Sequence, residues 1–242
     1  MQKEQNLTGF STMSSAIEFA DNYNNWILEI FKPYIKENIL EIGTGQGNFK
    51  RYLTSIKNYI SLDIDSTVIE RAQQRDSRGQ YILANIADPT CLLQLQSFQV
   101  DTVLCTNVLE HIQDDRVAIE NMVEILQDKG HLLLFVPAFP SLYSSMDRLA
   151  GHCRRYTKTS LVSLFQDTPT KVEKLEYFNP IGGLGWWVNK FFGHKNLDNT
   201  SINQQIVIFD KYIVPISKLS NWFAKSFFGQ SLICVISKQA SQ

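Results

Sequence analysis

The order of apolar runs along the first 137 residues is the tightest constraint on what this chain can fold into. "NILEIG", "YISLDI", "GQYILAN", "VDTVLCTN" and "HLLLFVP" each have the length of a buried strand, and the gaps between them carry helical patterns. The spacing predicts helices over residues 48–55 and over "STVIERAQQR", with Ser66 as cap. Two more are predicted: over "DPTCLLQL", with Asp88 capping and Pro89 in the first turn, and over Asp114 to Gln127, stopping near Gly130. Strands alternating with helices are joined by right-handed crossovers, which gives a doubly wound, mostly parallel α/β sheet. A further helix precedes the series. "SAIE" (Ser15 to Glu18) has capping-box spacing, and Ala16, Phe19, Tyr23, Trp26, Ile30 and Tyr34 follow near helical intervals, with Pro33 in the last turn.

Beyond Pro137 the alternation loosens. "TKTSLVSLF" reads as a helix capped by Thr157 or Thr159, "KVEKLEYF" as a strand and "SLICVISK" as the final strand. Between those strands, residues 179–230 are too many for a simple crossover, so a helical insertion is expected there, serving as a lid, an acceptor-site cover or a partner surface. Its aromatic stretches "GLGWWVNKFF" and "NWFAKSFF" fit ordinary helix packing better than a greasy entrance. Residues 1–14 read as a flexible tail and 15–242 as a single domain.

Composition narrows the function classes. A formal net charge of -1 gives no general attraction to nucleic acid or to an anionic membrane, although Arg154 and Arg155 form a local basic cluster. The N-terminal stretch is polar without an apolar h-region, and no apolar run approaches the roughly 18 to 20 residues of a membrane span. Membrane contact is therefore not expected. Cys91, Cys105, Cys153 and Cys234 are scattered with no CxxC pair, which predicts reduced thiols in a cytoplasmic compartment.

"ILEIGTGQGNF" places Gly43, Gly45 and Gly47 at the carboxyl end of the first strand. Glycines there permit positive φ and close approach of a ligand, and the crevice outside the strand ends is where open α/β sheets bind ligands. A tight structural turn is the competing reading. The spacing is GxGxG rather than the dinucleotide GxGxxG, and no GKS or GKT follows. Glu41 precedes the first glycine by two residues, and Asp63 ends the second strand, where a carboxylate can accept both ribose hydroxyls.

"LEIGTGQGNF", "SLDIDSTVIERA" and "NVLEHIQDD" resemble class I S-adenosylmethionine-dependent methyltransferases, with the likeness strongest through residue 140. The resemblance implies a Rossmann-like seven-stranded sheet with an antiparallel last strand, and S-adenosylmethionine as cofactor with S-adenosylhomocysteine as product. It also implies Glu41 near the methionine ammonium, Gly43, Gly45 and Gly47 under the cofactor, Asp63 on the ribose and Ile64 against the adenine. Where the third strand usually ends in Gly-Asp, this chain has Ala84-Asn85, so the Asn85 carbonyl and the neighbouring Ile86 would meet the adenine. Asn107 would lie near the methionine part, and Tyr23 and Trp26 are either lid residues over the cofactor or core packing.

"GHCRRY", residues 151–156, allows four readings: metal site, nucleophile, anion clamp or solvated loop. His152 and Cys153 are too close in sequence to share one ion easily, and the remaining histidines are dispersed. Glu110 and His111 could recruit a divalent cation, as in some quinone-type O-methyltransferases, but no metal is expected. Methyl transfer from a sulfonium needs no covalent enzyme intermediate, so Cys153 is not the expected nucleophile. Arg154 and Arg155 offer planar forks for a carboxylate or phosphate, against the alternative that one arginine braces the loop. The block resembles a GHxRRY element of a bacterial subgroup that often carries a downstream FN…GWW, here Phe178, Asn179 and "GLGWW". Arg154, Arg155, Tyr156 and Trp186 are thus the expected acceptor-binding residues, with His111 and His152 competing as general base.

The expected activity is methylation of an oxygen, a carboxylate among the candidates, on a small molecule or short peptide, as in natural product biosynthesis. The rivals are a lipid-linked or quinone-like acceptor, and a non-catalytic cofactor-binding partner module. Nucleic-acid methylation is disfavoured, because "NVLE" stands where an (N/D)PP(Y/F) motif would.

Overall fold

From Leu132 to Pro137 the run "HLLLFVP" is apolar at every position because both faces of its strand are covered. In the computed structural model, which describes residues 20–45, 47, 49–54, 56–191 and 200–240, seven strands form one sheet. They are β1 (Asn38–Ile42), β2 (Asn58–Asp63), β3 (Gln80–Leu83), β4 (Thr102–Thr106), β5 (His131–Pro137), β6 (Thr170–Phe178) and β7 (Ser231–Lys238). Their order is β3-β2-β1-β4-β5-β7-β6. The first five pair in parallel, and β7 runs antiparallel to both β5 and β6, with a register shift between Val172 and Lys174.

Alternate residues enter opposite layers, as the period of a strand requires. Leu132, Leu134 and Val136 pack with Ala118, Ile119 and Met122 of α4 (Asp115–Ile125). Leu133 and Phe135 pack on the other face with Trp26, Ile27 and Phe31 of α1 (Asp21–Phe31). Each such side chain contributes about 1.5–3 kcal/mol by leaving water.

Most helix expectations hold in kind and shift at their ends. In α2 (Ser66–Arg75) the cap is Asp65, whose carboxylate accepts from the Thr67 N–H, rather than Ser66. Asp88 accepts from the Thr90 N–H in a turn, and α3 (Cys91–Leu95) begins only after it. Of the helix expected over residues 48–55, the described residues 49–54 carry one 3₁₀ turn, Lys50–Tyr52. α5 (Ser145–Leu149) follows β5, and α6 (Lys158–Val162) opens on a Thr157–Ser160 capping box. The Ser15–Glu18 box, Ala16, Phe19 and the tail 1–14 lie outside the described residues.

The insertion between β6 and β7 carries α7 (Pro180–Asn189), α8 (Thr200–Ile208) and α9 (Val214–Ala224). Asn179 pins it. Its φ of 60° is left-handed, a region asparagine tolerates better than most residues. Its side-chain oxygen accepts from the Gly182 N–H (2.9 Å) and the Ser217 hydroxyl (2.7 Å). Its amide donates to Gln230 (2.8 Å), and its own N–H donates to Asn221 (3.1 Å). The aromatic stretches depart from the packing expectation: Trp187, Trp222 and Phe223 are 52%, 70% and 68% exposed. Among the described residues no helix is long and apolar enough to cross a membrane.

Asn179→Ala removes a helix cap, a left-handed preference and the partners of three buried groups. The expected loss is about 2–4 kcal/mol, read as a lower urea midpoint at constant m-value.

Candidate functional site

β1 and β4 are neighbours in the sheet, and the loops leaving their carboxyl ends lie together. After β1, Gly43, Gly45 and Gly47 have φ of 73°, 48° and 74°. At Gly43 a Cβ would come within 2.2 Å of Val108 Cγ2, so no side chain fits where this turn presses on the loop after β4. A Cβ on Gly47 would meet nothing within 4 Å; backbone there borders open space.

Two carboxylates flank the turn. Asp63 ends β2, accepting from the Gly45 N–H (3.2 Å) and the Asp65 N–H (3.0 Å). Burial raises its pKa above the usual aspartate value, against the pull of those N–H groups. Each oxygen keeps a lone pair for a further donor. Glu41 is only 1% exposed and accepts from the Thr44 hydroxyl at 3.0 Å. Burial pushes its pKa up to about 7, with the Thr44 bond pulling the other way. Such a group is poised to ionise beside a cation.

The other expected cofactor residues divide. Ile64 is exposed beside Asp63, and Asn107, exposed with φ 52°, donates its N–H to the Phe135 carbonyl (2.8 Å). The Asn85 carbonyl already accepts from the Asp88 N–H (2.9 Å), leaving one lone pair. Ile86 turns its side chain into the core, and its carbonyl takes the Asn121 amide (2.8 Å), so it offers no apolar face to a ligand. Trp26 packs on Phe178 with ring centroids 4.0 Å apart. Tyr23 meets Phe135 and Phe178 edge-on, its hydroxyl beside Asn179 and Ser231 and its pKa raised by burial to about 12. The packing reading of these two fits this geometry, and the lid reading does not.

The "GHCRRY" loop follows α5 and closes on the loop after β4. Asp147 organises it. Its carboxylate takes the Ser144 N–H (2.9 Å), Arg155 Nε (2.7 Å), His152 Nδ1 (2.9 Å) and Trp186 Nε1 (3.4 Å). Burial works to raise its pKa, but His152 and Arg155 outweigh that and hold it below the usual range. Arg155 is 4% exposed, donates also to the Ala138 carbonyl (3.1 Å) and stacks on Trp186 at 4.7 Å. Arg154 pairs with Asp115 (2.6 Å) and donates to the Gln113 carbonyl (2.9 Å). Each arginine thus has a carboxylate of its own, so neither presents the open fork that an anion clamp requires. Tyr156 is buried, its hydroxyl donating to Asp115 (2.9 Å), and cannot line an open pocket as expected.

What the loop does bring together is Glu110, His111 and His152, whose ligand atoms lie within 4.8 Å of one another. The two imidazoles meet edge to face, with centroids 4.8 Å apart. Burial, and then the neighbouring His152, lowers the His111 pKa to about 4, while burial raises that of Glu110 to about 7. The sequence reading missed Asp147. The Ser-x-x-Asp spacing of Ser144 and Asp147, which forms a capping box, was the available signal.

Comparison with known proteins bears on the domain and the fold. A family model described as a methyltransferase domain matches residues 40–134. A "Probable S-adenosylmethionine-dependent methyltransferase" of Mycobacterium tuberculosis is 26% identical over 133 residues, covering 54% of this chain and 47% of that protein. The chain thus spans about half the length of that relative. Among solved structures, the plantazolicin methyltransferase BamL, in complex with a triazolic desmethylPZN analog and S-adenosylhomocysteine, aligns with TM-score 0.55. It is 14% identical, over 93% of this chain and 86% of that one. The N-methyltransferase NodS of Bradyrhizobium japonicum, in complex with S-adenosylhomocysteine, aligns with TM-score 0.52 at 15% identity, over 94% and 89%. The sheet has the Rossmann-like fold of these methyltransferases.

Glu41 gives a pH signature. Its raised pKa means that the stability of the protonated form is complete below about 4.5 and is lost as pH rises through about 7. In ligand-free protein, Glu41→Gln should remove about 3 kcal/mol of the decline between those limits, measured as denaturation midpoints against wild type.

Proposed function

We propose that this chain is an S-adenosylmethionine-dependent methyltransferase whose acceptor atom is an oxygen on a small molecule or short peptide. The reading is carried by one juxtaposition: a glycine turn between two buried acids, Glu41 and Asp63, faces the loop that bears Glu110 and His111. The matched methyltransferase domain and the fold support it.

S-adenosylmethionine, when bound, supplies an electrophilic methyl group on a sulfonium. Glu41 would hold the ammonium, a partner that favours its ionised form. Asp63 would accept the ribose hydroxyls, Ile64 would lie against the adenine, and Gly47 lets the ligand approach the backbone. Glu110, His111 and His152 would face the acceptor. His152 donates Nδ1–H to Asp147, which leaves Nε2 as the basic nitrogen toward an acceptor hydroxyl. His111, with its depressed pKa, stays neutral and able to accept a proton at physiological pH. A carboxylate acceptor loses its support, because both arginines that would clamp it are occupied. The remaining work is to align the acceptor oxygen with the methyl carbon and to exclude water.

Calorimetry tests the cofactor: Asp63→Ala should lower affinity for S-adenosylmethionine at least about tenfold, roughly 1.4 kcal/mol. Unchanged affinity overturns the assignment. A labelled-methyl assay on matched hydroxyl, amine and carboxylate acceptors should favour the hydroxyl, and transfer to the amine alone would overturn the oxygen reading.

A further inference from the structure

We propose that Glu110, His111 and His152 form a binding site for a first-row divalent transition-metal ion, with zinc as the simplest case. The Glu110 carboxylate is buried, and neither of its oxygens has a hydrogen-bond donor among the described residues. A carboxylate in that position is costly unless something cationic or a donor reaches it. The atom that faces it is His152 Nε2, at 3.8 Å. Nδ1 of the same ring lies 2.9 Å from Asp147 Oδ1 and donates its proton there. Nε2 is therefore the nitrogen left facing Glu110, whose two carboxylate oxygens have no partner within hydrogen-bond reach among the described residues.

That arrangement is the carboxylate–histidine pattern of metal centres, in which an outer acid fixes the tautomer and aims the inner nitrogen. Asp147 is itself held by Arg155 and Ser144, so the aim is rigid. His111 brings the third ligand, and all three ligand atoms fall within 4.8 Å of one another. With bonds of about 2.1 Å a tetrahedral ion sets its ligands about 3.4 Å apart, so side-chain rotations that close spacings of up to 4.8 Å by about 1.4 Å suffice. Two imidazoles and one carboxylate suit zinc, iron, cobalt or manganese, whereas magnesium and calcium want oxygen ligands. Three protein ligands leave a fourth position open, as at catalytic zinc sites. There an acceptor hydroxyl could bind and lose its proton to solvent, the imidazoles then serving as ligands rather than as base. That last role rests on the methyltransferase reading; ion binding does not. The sequence offered only the adjacent Glu110–His111 pair, and no metal was expected from it. The fold adds His152 from a second loop.

The test uses the full chain without a tag, stripped with chelator. Cobalt uptake is followed by visible absorption and zinc binding by calorimetry, with S-adenosylmethionine affinity measured in parallel. One ion per chain is expected, with affinity at least about tenfold weaker in Glu110→Gln and in His152→Ala, and about 10–100-fold weaker in Asp147→Asn. Glu110→Gln keeps the shape of the side chain and removes a buried charge, so it keeps the fold and decides the matter if Asp147→Asn fails to fold. No uptake by wild type at about 0.1 mM ion, or equal affinity in Glu110→Gln, overturns the inference. Ion binding without S-adenosylmethionine binding would count against the methyltransferase reading alone; the reverse result would count against the ion alone.

Discussion

Asp147 is the point on which the far side of the site hangs. Its carboxylate collects donors from its own helix cap, from His152 and Arg155 in the next loop, and from Trp186 in the insertion. Three chain segments that are separate in sequence are thereby fixed to one buried charge. Breaking a buried pair of this kind by removing one partner typically costs about 3–5 kcal/mol, because the abandoned guanidinium stays out of water. The cost would fall on geometry as well. Without that acid, the His152 ring loses its Nδ1 partner and Arg155 is left with the Ala138 carbonyl alone.

The near side of the site works by a different economy of charge. Glu41 and Asp63 stand at the carboxyl ends of adjacent strands and are both buried. Burial weakens each as an acid, and the fold offsets this only partly, with one hydroxyl for Glu41 and two backbone N–H groups for Asp63. Both therefore retain unused accepting capacity on either side of the glycine turn. In the proposed reading, an ammonium would meet the first acid and a ribose diol the second.

Much of this was legible in the sequence. β5 and β7 fall on "HLLLFVP" and "SLICVISK", because a strand buried on two faces reads as a near-continuous apolar run. The glycine turn was legible because positive φ and close packing on Val108 leave a compositional mark. The role of the arginines was not. Spacing cannot say that Asp147 and Asp115 approach from other elements to neutralise them. Nor could helical periodicity place the aromatic residues of α7 and α9. A stripe of tryptophan and phenylalanine reads the same whether its neighbour is a sheet or solvent, and here Trp187 and Trp222 face outward. For Tyr23 and Trp26 the sequence left lid and core packing open, because a ring that could cover a ligand can equally pack against Phe178, as both do here.

The sheet order also carries a kinetic consequence. β7 is laid between β5 and β6, yet in the chain it follows both of them and the whole helical insertion. Until β7 arrives, β6 has no sheet neighbour, and β5 presents a bare edge of seven residues with an unpaired backbone. Closing that gap means bringing together strands separated by residues 179–230, a slow event because loop entropy is lost before any pairing is regained. The apolar side chains of β5 are then the surface on which a partly folded molecule would stick to its neighbours. Asn179, which folds the insertion back at its first residue, shortens the effective search and makes the last strand's arrival quicker.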